Sequence, residues 1–351
     1  MNKSIYYINI VACAVFALVI QSCSMHNMDH MNKTLNINYP AAYIVNGASS
    51  DISVLKLADN SITETIPLNG AKYPHHIYIN PAHTKLAVAI TGTDLSGGHA
   101  GHSGAVAGLK IQIIDAITGE IDKEIPLSKM PHNATYNKTG TELWVGQMDT
   151  IQSQVLVFRT IDWTLQHTIP VGRGVSEVTF SNDGTKAFAC NTIEGTVSII
   201  NATLKTVEAT VAVGQDPVGA WSASNGNMYV DNEKSKSISE IDVLNNTVTN
   251  TLYLGYKPGY AAYHKLSSQL WISDATNGKI SYYTLVNNTW AIQGSIQTGA
   301  DAHAIAFSSN GEKAYVTNQG AGNITVIDVA THSILKTITT GTKPNGIAIK
   351  D

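Results

Sequence analysis

The chain carries 12 histidines, and several stand in company that suits metal chemistry. Pro74-His75-His76 and Pro131-His132 place imidazoles directly after proline, and Ala302-His303 has a similar setting. A glycine-rich stretch, Gly97-Gly98-His99-Ala100-Gly101-His102-Ser103-Gly104, adds two more. Near the start, Met25-His26-Asn27-Met28-Asp29-His30-Met31 interleaves thioethers with imidazoles. Imidazole suits zinc, copper, nickel and iron, and thioether beside imidazole favours Cu(I). Three histidines with one open position make a catalytic type of zinc or copper site. The same residues also have plainer uses. Pro-His at a strand start fills a wet channel with hydrogen-bonding groups, and the Met/His run serves as a polar tether. Glu177 is the weak catalytic candidate, as a general base or as a hydrogen-bonding anchor. No Gly-x-Ser-x-Gly elbow, phosphate-binding glycine loop or His-Glu-x-x-His occurs.

These residues are placed by a repeat. From Gly70 onward a Gly-x-x-Pro start recurs with a period of about 42 residues. The proline-equivalent positions are Pro74, Pro131, Val175, Pro217, Pro258, Ala302 and Pro344. Each unit holds four short alternating runs, such as His303 to Phe307, Lys313 to Thr317, Asn323 to Asp328 and Ile334 to Ile338. Ser309-Asn310-Gly311 and Asn182-Asp183-Gly184 are hairpin signals. Asp328-Val329-Ala330-Thr331 makes a turn that Asp stabilises by accepting local N–H groups. Four strands per unit at this period predict an all-β propeller.

Ala314-Tyr315-Val316-Thr317-Asn318, followed by Ile324-Thr325-Val326-Ile327-Asp328, resembles the YVTN family of β-propeller repeats. Ala42-Tyr43-Ile44-Val45-Asn46 is a variant, while Leu143-Trp144-Val145-Gly146 and Met228-Tyr229-Val230-Asp231 depart further. The resemblance covers residues 41–351 and implies fold more than activity. It extends loosely to the propellers of cytochrome cd1 nitrite reductase and nitrous oxide reductase, which implies histidines near the channel mouth. Neither enzyme's remaining machinery is visible: there is no Cys-x-x-Cys-His for c-type haem and no second domain for a dinuclear copper centre. Haem held without that motif stays open.

The ends of the chain set the blade count. Pro344 to Lys350 leaves no room for three further strands, and Ala42 to Asn46, Ile52 to Leu57 and Ile62 to Pro67 lack a leading one. Joined, they complete a seven-bladed propeller whose N-terminal strands close on the C-terminal inner strand. The residue after each proline position is then His75, His132, Ser176, Val218, Gly259, His303 or Asn345. His303, Asn345, His75 and His132 fall on four consecutive blades at one level. The long loop with His99 and His102 lies on the same face, as do His76 and Met148. The expected metal set is therefore His75, His132, His303, His99 and His102, with His76, Met148, Met25, His26, Met28, His30 and Met31 as outlying donors. Copper or zinc is the expected ion. His83, His264 and His332 are expected on the opposite face, and His167 in an outer strand.

Residues 1–22 read as an address. Lys3 precedes an apolar run from Val11 to Ile20, too short for the roughly 20 residues a membrane span needs. Ile20-Gln21-Ser22-Cys23 resembles a bacterial lipobox, which implies cleavage before Cys23 and acyl chains on it. Residues 23–40 are expected to be a Met/His-containing tether, and 41–351 the propeller. With Cys13 removed and Cys23 lipidated, Cys190 remains in an apolar stretch and is expected to be a buried, inert thiol. A net charge of −4 argues against nucleic acid as a partner. The sequence thus leads to an exported lipoprotein, periplasmic or at the cell surface and monomeric. Its propeller face binds a ligand or protein partner through the His-lined site. A redox or hydrolytic metalloenzyme and a scaffold without a small-molecule site are the alternatives.

Overall fold

The fold is seen in a computed structural model that describes residues 34–96 and 106–351. The leader, Cys23, the Met25-to-Met31 run, His99 and His102 lie outside the described residues. Leu35–Asp351 form one compact unit. It consists of seven four-stranded antiparallel sheets. Their inner strands are Pro344–Lys350, Pro74–Ile79, Pro131–Tyr136, Val175–Phe180, Pro217–Ser222, Pro258–His264 and Ala302–Phe307. Each inner strand touches the next around the ring. Closure is as expected: Pro344–Lys350 pairs antiparallel with Ala41–Asn46, with Ile44 opposite Ile347.

Burial falls off toward the outer edge of each blade. Second and third strands are almost wholly buried, whereas an outer strand such as Ser333–Thr339 keeps mainly Ile338 inside. The apolar residues fill the wedges between blades. Trp144 packs with Ala187, Ala189 and Ile200 of the following blade, and Trp271 packs with Ile305, Ala314 and Val316 of its own next neighbour. Cys190 is fully buried in one such wedge, and burial pushes its thiol well above the usual range. The turns use the predicted chemistry. Thr331 N donates to Asp328 Oδ1 at 2.8 Å, and Asp115, Asn201 and Asp242 accept in the same way in other blades. Gly311 holds φ +71, which its hairpin requires and a side chain resists.

The tether expected to run to residue 40 is shorter on the C-terminal side. Leu35 and Tyr39 pack against the first core cluster, and Ile37 is fully buried there. Ile37 N donates to Ile117 O at 2.9 Å, and Lys350 Nζ donates to Ile37 O. An apolar alternation of only three residues was too brief to mark this segment as structured.

The Gly and Asn of the repeat have a shared cause. Asn46, Asn191, Asn232 and Asn318 end second strands, and each amide donates to a hydroxyl seven residues on: Ser53, Ser198, Ser239 and Thr325, at 2.9 to 3.0 Å. The glycine opening the neighbouring segment lies on that amide. A Cβ on Gly172, Gly214, Gly299 or Gly341 would meet Asn191, Asn232, Asn318 or Asn46 at 2.6 to 2.8 Å. Close approach, rather than turn geometry, thus demands glycine here. Gly214→Ala is expected to destabilise the domain by about 1–3 kcal/mol through overpacking. Urea unfolding checks this, and an unchanged midpoint would show that the amide yields freely.

Candidate functional site

Each inner strand begins with an irregularity in its pairing, between Pro131 and Ala134, His75 and Ile77, Val175 and Val178, and Ala302 and Ile305, for example. Such a bulge breaks the strict alternation of a strand and re-aims side chains. His76 sits in it at φ 43, a left-handed backbone uncommon for a side chain other than glycine. Gly346 of the closing strand makes room, because a Cβ there would lie 2.8 Å from His76 Cα.

The bulges gather His75, His76 and His132. Ring centroids lie 4.4 Å apart for His75 and His76, 4.5 Å for His75 and His132, and 5.1 Å for His76 and His132. One ligand nitrogen from each lies within 4.8 Å of the others, and all three residues are buried. Among the described residues no other group of three potential ligands meets that test. Nitrogens sharing one tetrahedral zinc ion lie about 3.3 Å apart, so the set would have to contract around an ion. His303 stands off, 6.5 Å from His75 and 5.8 Å from His76 between ring centroids. His76, an outlying donor by sequence, therefore lies inside the cluster, and His303 lies at its edge.

Glu177 is fully buried beside them. Its Oε2 lies 2.6 Å from His132 Nδ1, and its Oε1 accepts from the Tyr78 hydroxyl at 2.6 Å and lies 3.8 Å from His76 Nδ1. Burial pushes the Glu177 carboxyl up to about 8. Asp231 adds to that, while hydrogen bonds from Tyr78 and Asn133 act in the opposite direction. A carboxyl on one imidazole nitrogen fixes the ring, and a bound cation would favour its ionised form, which leaves the other nitrogen for the ion, the arrangement found behind metal-bound histidines. The donor set thus fits zinc or copper. Glu177 also links its own inner strand to two others through His132 and Tyr78.

The cluster is not at an open mouth. His75, His76, His132 and His303 are each less than a tenth exposed. Thr93–Ser96 lie over this end of the channel, held where Lys343 Nζ donates to Asp94 and, at 2.8 Å, to Ser96 Oγ. The void left between them and His75 is only about 10 Å³. Met148 does not join the histidines. It packs with Leu95, Leu109 and Met130, so its thioether fills an apolar cluster. Equal loop position did not set its side-chain direction. His264 hydrogen-bonds Ser267 and Gly311 O, and His332 stacks on Tyr282 at 4.0 Å, both away from the cluster as expected.

Comparison with known proteins shows the fold alone. No family profile matches the chain, and no curated protein sequence does. Its structure is similar to a periplasmic gluconolactonase of Pseudomonas aeruginosa, with a TM-score of 0.70, 16% identity, and 89% and 99% of the two chains covered. It is similar to a Lactobacillus plantarum protein at TM-score 0.71 and 11% identity, covering 89% and 100%. It is also similar to the dihydro-haem d1 dehydrogenase NirN in complex with DHE, at TM-score 0.62 and 12% identity, covering 88% and 74%. The chain is a seven-bladed β-propeller.

Proposed function

We propose that this chain is an exported lipoprotein whose propeller binds a transition metal, copper or zinc, on His75, His76 and His132, and presents it to a ligand or partner. The observation that carries the reading is the buried trio of imidazoles with nitrogens within 4.8 Å of one another. Glu177 supports it by orienting His132. When bound, the ion would act as a Lewis acid or redox centre. The protein's own part is to hold the imidazoles, fix the His132 ring through Glu177 and exclude water by burial. The repeats are of the YVTN kind, which the recurring Asn-to-hydroxyl bonds support. Export rests on the leader and Cys23, and the periplasmic neighbour is consistent with it. Catalysis is the second reading, since that neighbour is named for an enzyme.

The metal reading predicts close to one equivalent of copper or zinc in the chain after reconstitution and desalting, measured by elemental analysis. His75→Ala, His76→Ala and His132→Ala should each lower binding strongly, while His264→Ala should leave it intact. Less than about 0.2 equivalents in the parent protein would overturn the reading, because three-imidazole sites bind tightly at neutral pH.

The anchor is tested separately. The parent chain, expressed in a bacterium, should partition into Triton X-114, and Cys23→Ser should move it to the aqueous phase. Equal partitioning of both would exclude a lipid on Cys23.

A further inference from the structure

The far end of the channel differs from the histidine end. A funnel of about 680 Å³ opens there, within the usual range for small-molecule sites. Aromatic rings from several blades line it: Tyr78, Phe180, Trp221, Tyr260, Tyr263 and Phe307. A second void of about 160 Å³ shares Tyr78, Ile79 and Tyr260 with it and reaches His76. Beside His75 at the other end the described residues leave a void of only about 10 Å³, so the funnel is the larger cavity of the two.

Its central platform is built rather than accidental. Trp221 stacks on Tyr260 with centroids 3.7 Å apart and planes 28° apart. Trp221 Nε1 donates to buried Asp231 Oδ1 at 2.7 Å, which locks the indole. Gly219 clears the space, since a Cβ there would sit 2.1 Å from Trp221 Cζ2. No carboxylate lines the funnel. The one lysine, Lys138 at the rim, already donates to Asn182 O at 3.0 Å. At the floor, Tyr78 shows a phenol hydroxyl donating to Glu177 at 2.6 Å.

We propose that this funnel is a binding site for a small, uncharged, planar aromatic molecule of the phenol or naphthol class. Rings on the walls supply stacking, worth most when the platform is held rigid. With no carboxylate in the lining, a cationic ligand would lose water without gaining a partner, and Lys138, the rim's lysine, is already held by Asn182 O. The site goes beyond the metal reading and stands without it.

The test is calorimetric titration of the full chain with 2-naphthol, its fully saturated analogue and glucose, before and after chelator treatment. Saturable 2-naphthol binding, weaker binding of the saturated analogue, and none of glucose are expected. Tyr260→Leu should weaken 2-naphthol by about tenfold, the upper end of one ring contact. Ser222→Trp, at an exposed funnel position, should block it without touching the core. Equal binding of naphthol and its saturated analogue would reduce the funnel to an apolar hole and overturn the proposal, as would preference for glucose or no binding at all. Binding that persists after chelation, in a chain that takes up no metal, would uphold the funnel while the metal reading fails.

Discussion

The pairing of Pro344–Lys350 with Ala41–Asn46 is the constraint on which the rest depends. An open row of seven sheets would expose strand edges and leave its inner strands at no fixed mutual distance. Joining the two ends makes the row a ring, and the ring radius sets how closely the inner strand starts converge. The closing strand also stands physically between the cluster and the histidine at its edge. His303 precedes it in the ring and His75 follows it, and its own Asn345 donates to Pro74 O at 3.2 Å. Its Gly346 permits the left-handed His76 beside it. The site therefore draws on several blades, and closure supplies the strand that packs against His76.

The fold was largely legible in the sequence because the repeat encodes it many times over. Alternating strands, Asn-Gly and Asp-Gly turns and the complementary defects at the two ends all gave one answer, and agreement among such levels is what specifies a fold. The histidines were legible in part, because equivalent positions in a repeat occupy equivalent levels. His75 and His132 met as expected. What sequence could not show was the bulge. In a regular strand, His75 and His76 would face opposite sides. One extra residue in the pairing brings both toward the axis and gives His76 the place expected for His303. Met148 illustrates the complementary limit: backbone equivalence is inherited from the repeat, whereas side-chain direction depends on local apolar neighbours such as Leu95 and Leu109.

Departures from the repeat carry more information than the repeat itself. At Thr317 the hydroxyl accepts from Ala304 N at 2.9 Å. The corresponding residue in Met228-Tyr229-Val230-Asp231 is Asp231, and its carboxylate accepts from Gly219 N at 3.1 Å, the same backbone position one blade pair away. The larger acceptor keeps that bond and adds the one to Trp221 Nε1. A buried carboxylate is costly unless its hydrogen bonds are supplied. Two donors on one oxygen offset that cost and fix an indole that a threonine could not reach. What looked in the sequence like decay of a motif is the support of an aromatic platform.

Glu177 connects the two ends of the channel. One oxygen meets His132 and the other meets the Tyr78 hydroxyl, so the same carboxylate faces the imidazole cluster and the aromatic funnel. The second residue after each proline position differs in size around the ring: His76, Asn133, Glu177, Gly219, Tyr260, Ala304 and Gly346. Gly219 and Gly346 make room for Trp221 and His76, while His76, Tyr260 and the small Ala304 line the void beside Tyr78. Asn133 ties Glu177's blade to its neighbour by donating to Val178 O at 2.8 Å and accepting from Val178 N at 3.0 Å. That clamp fixes the backbone from which Glu177 projects. Tyr78 on the funnel side thus hydrogen-bonds a carboxyl whose other oxygen orients His132, so two hydrogen bonds in series span the two ends.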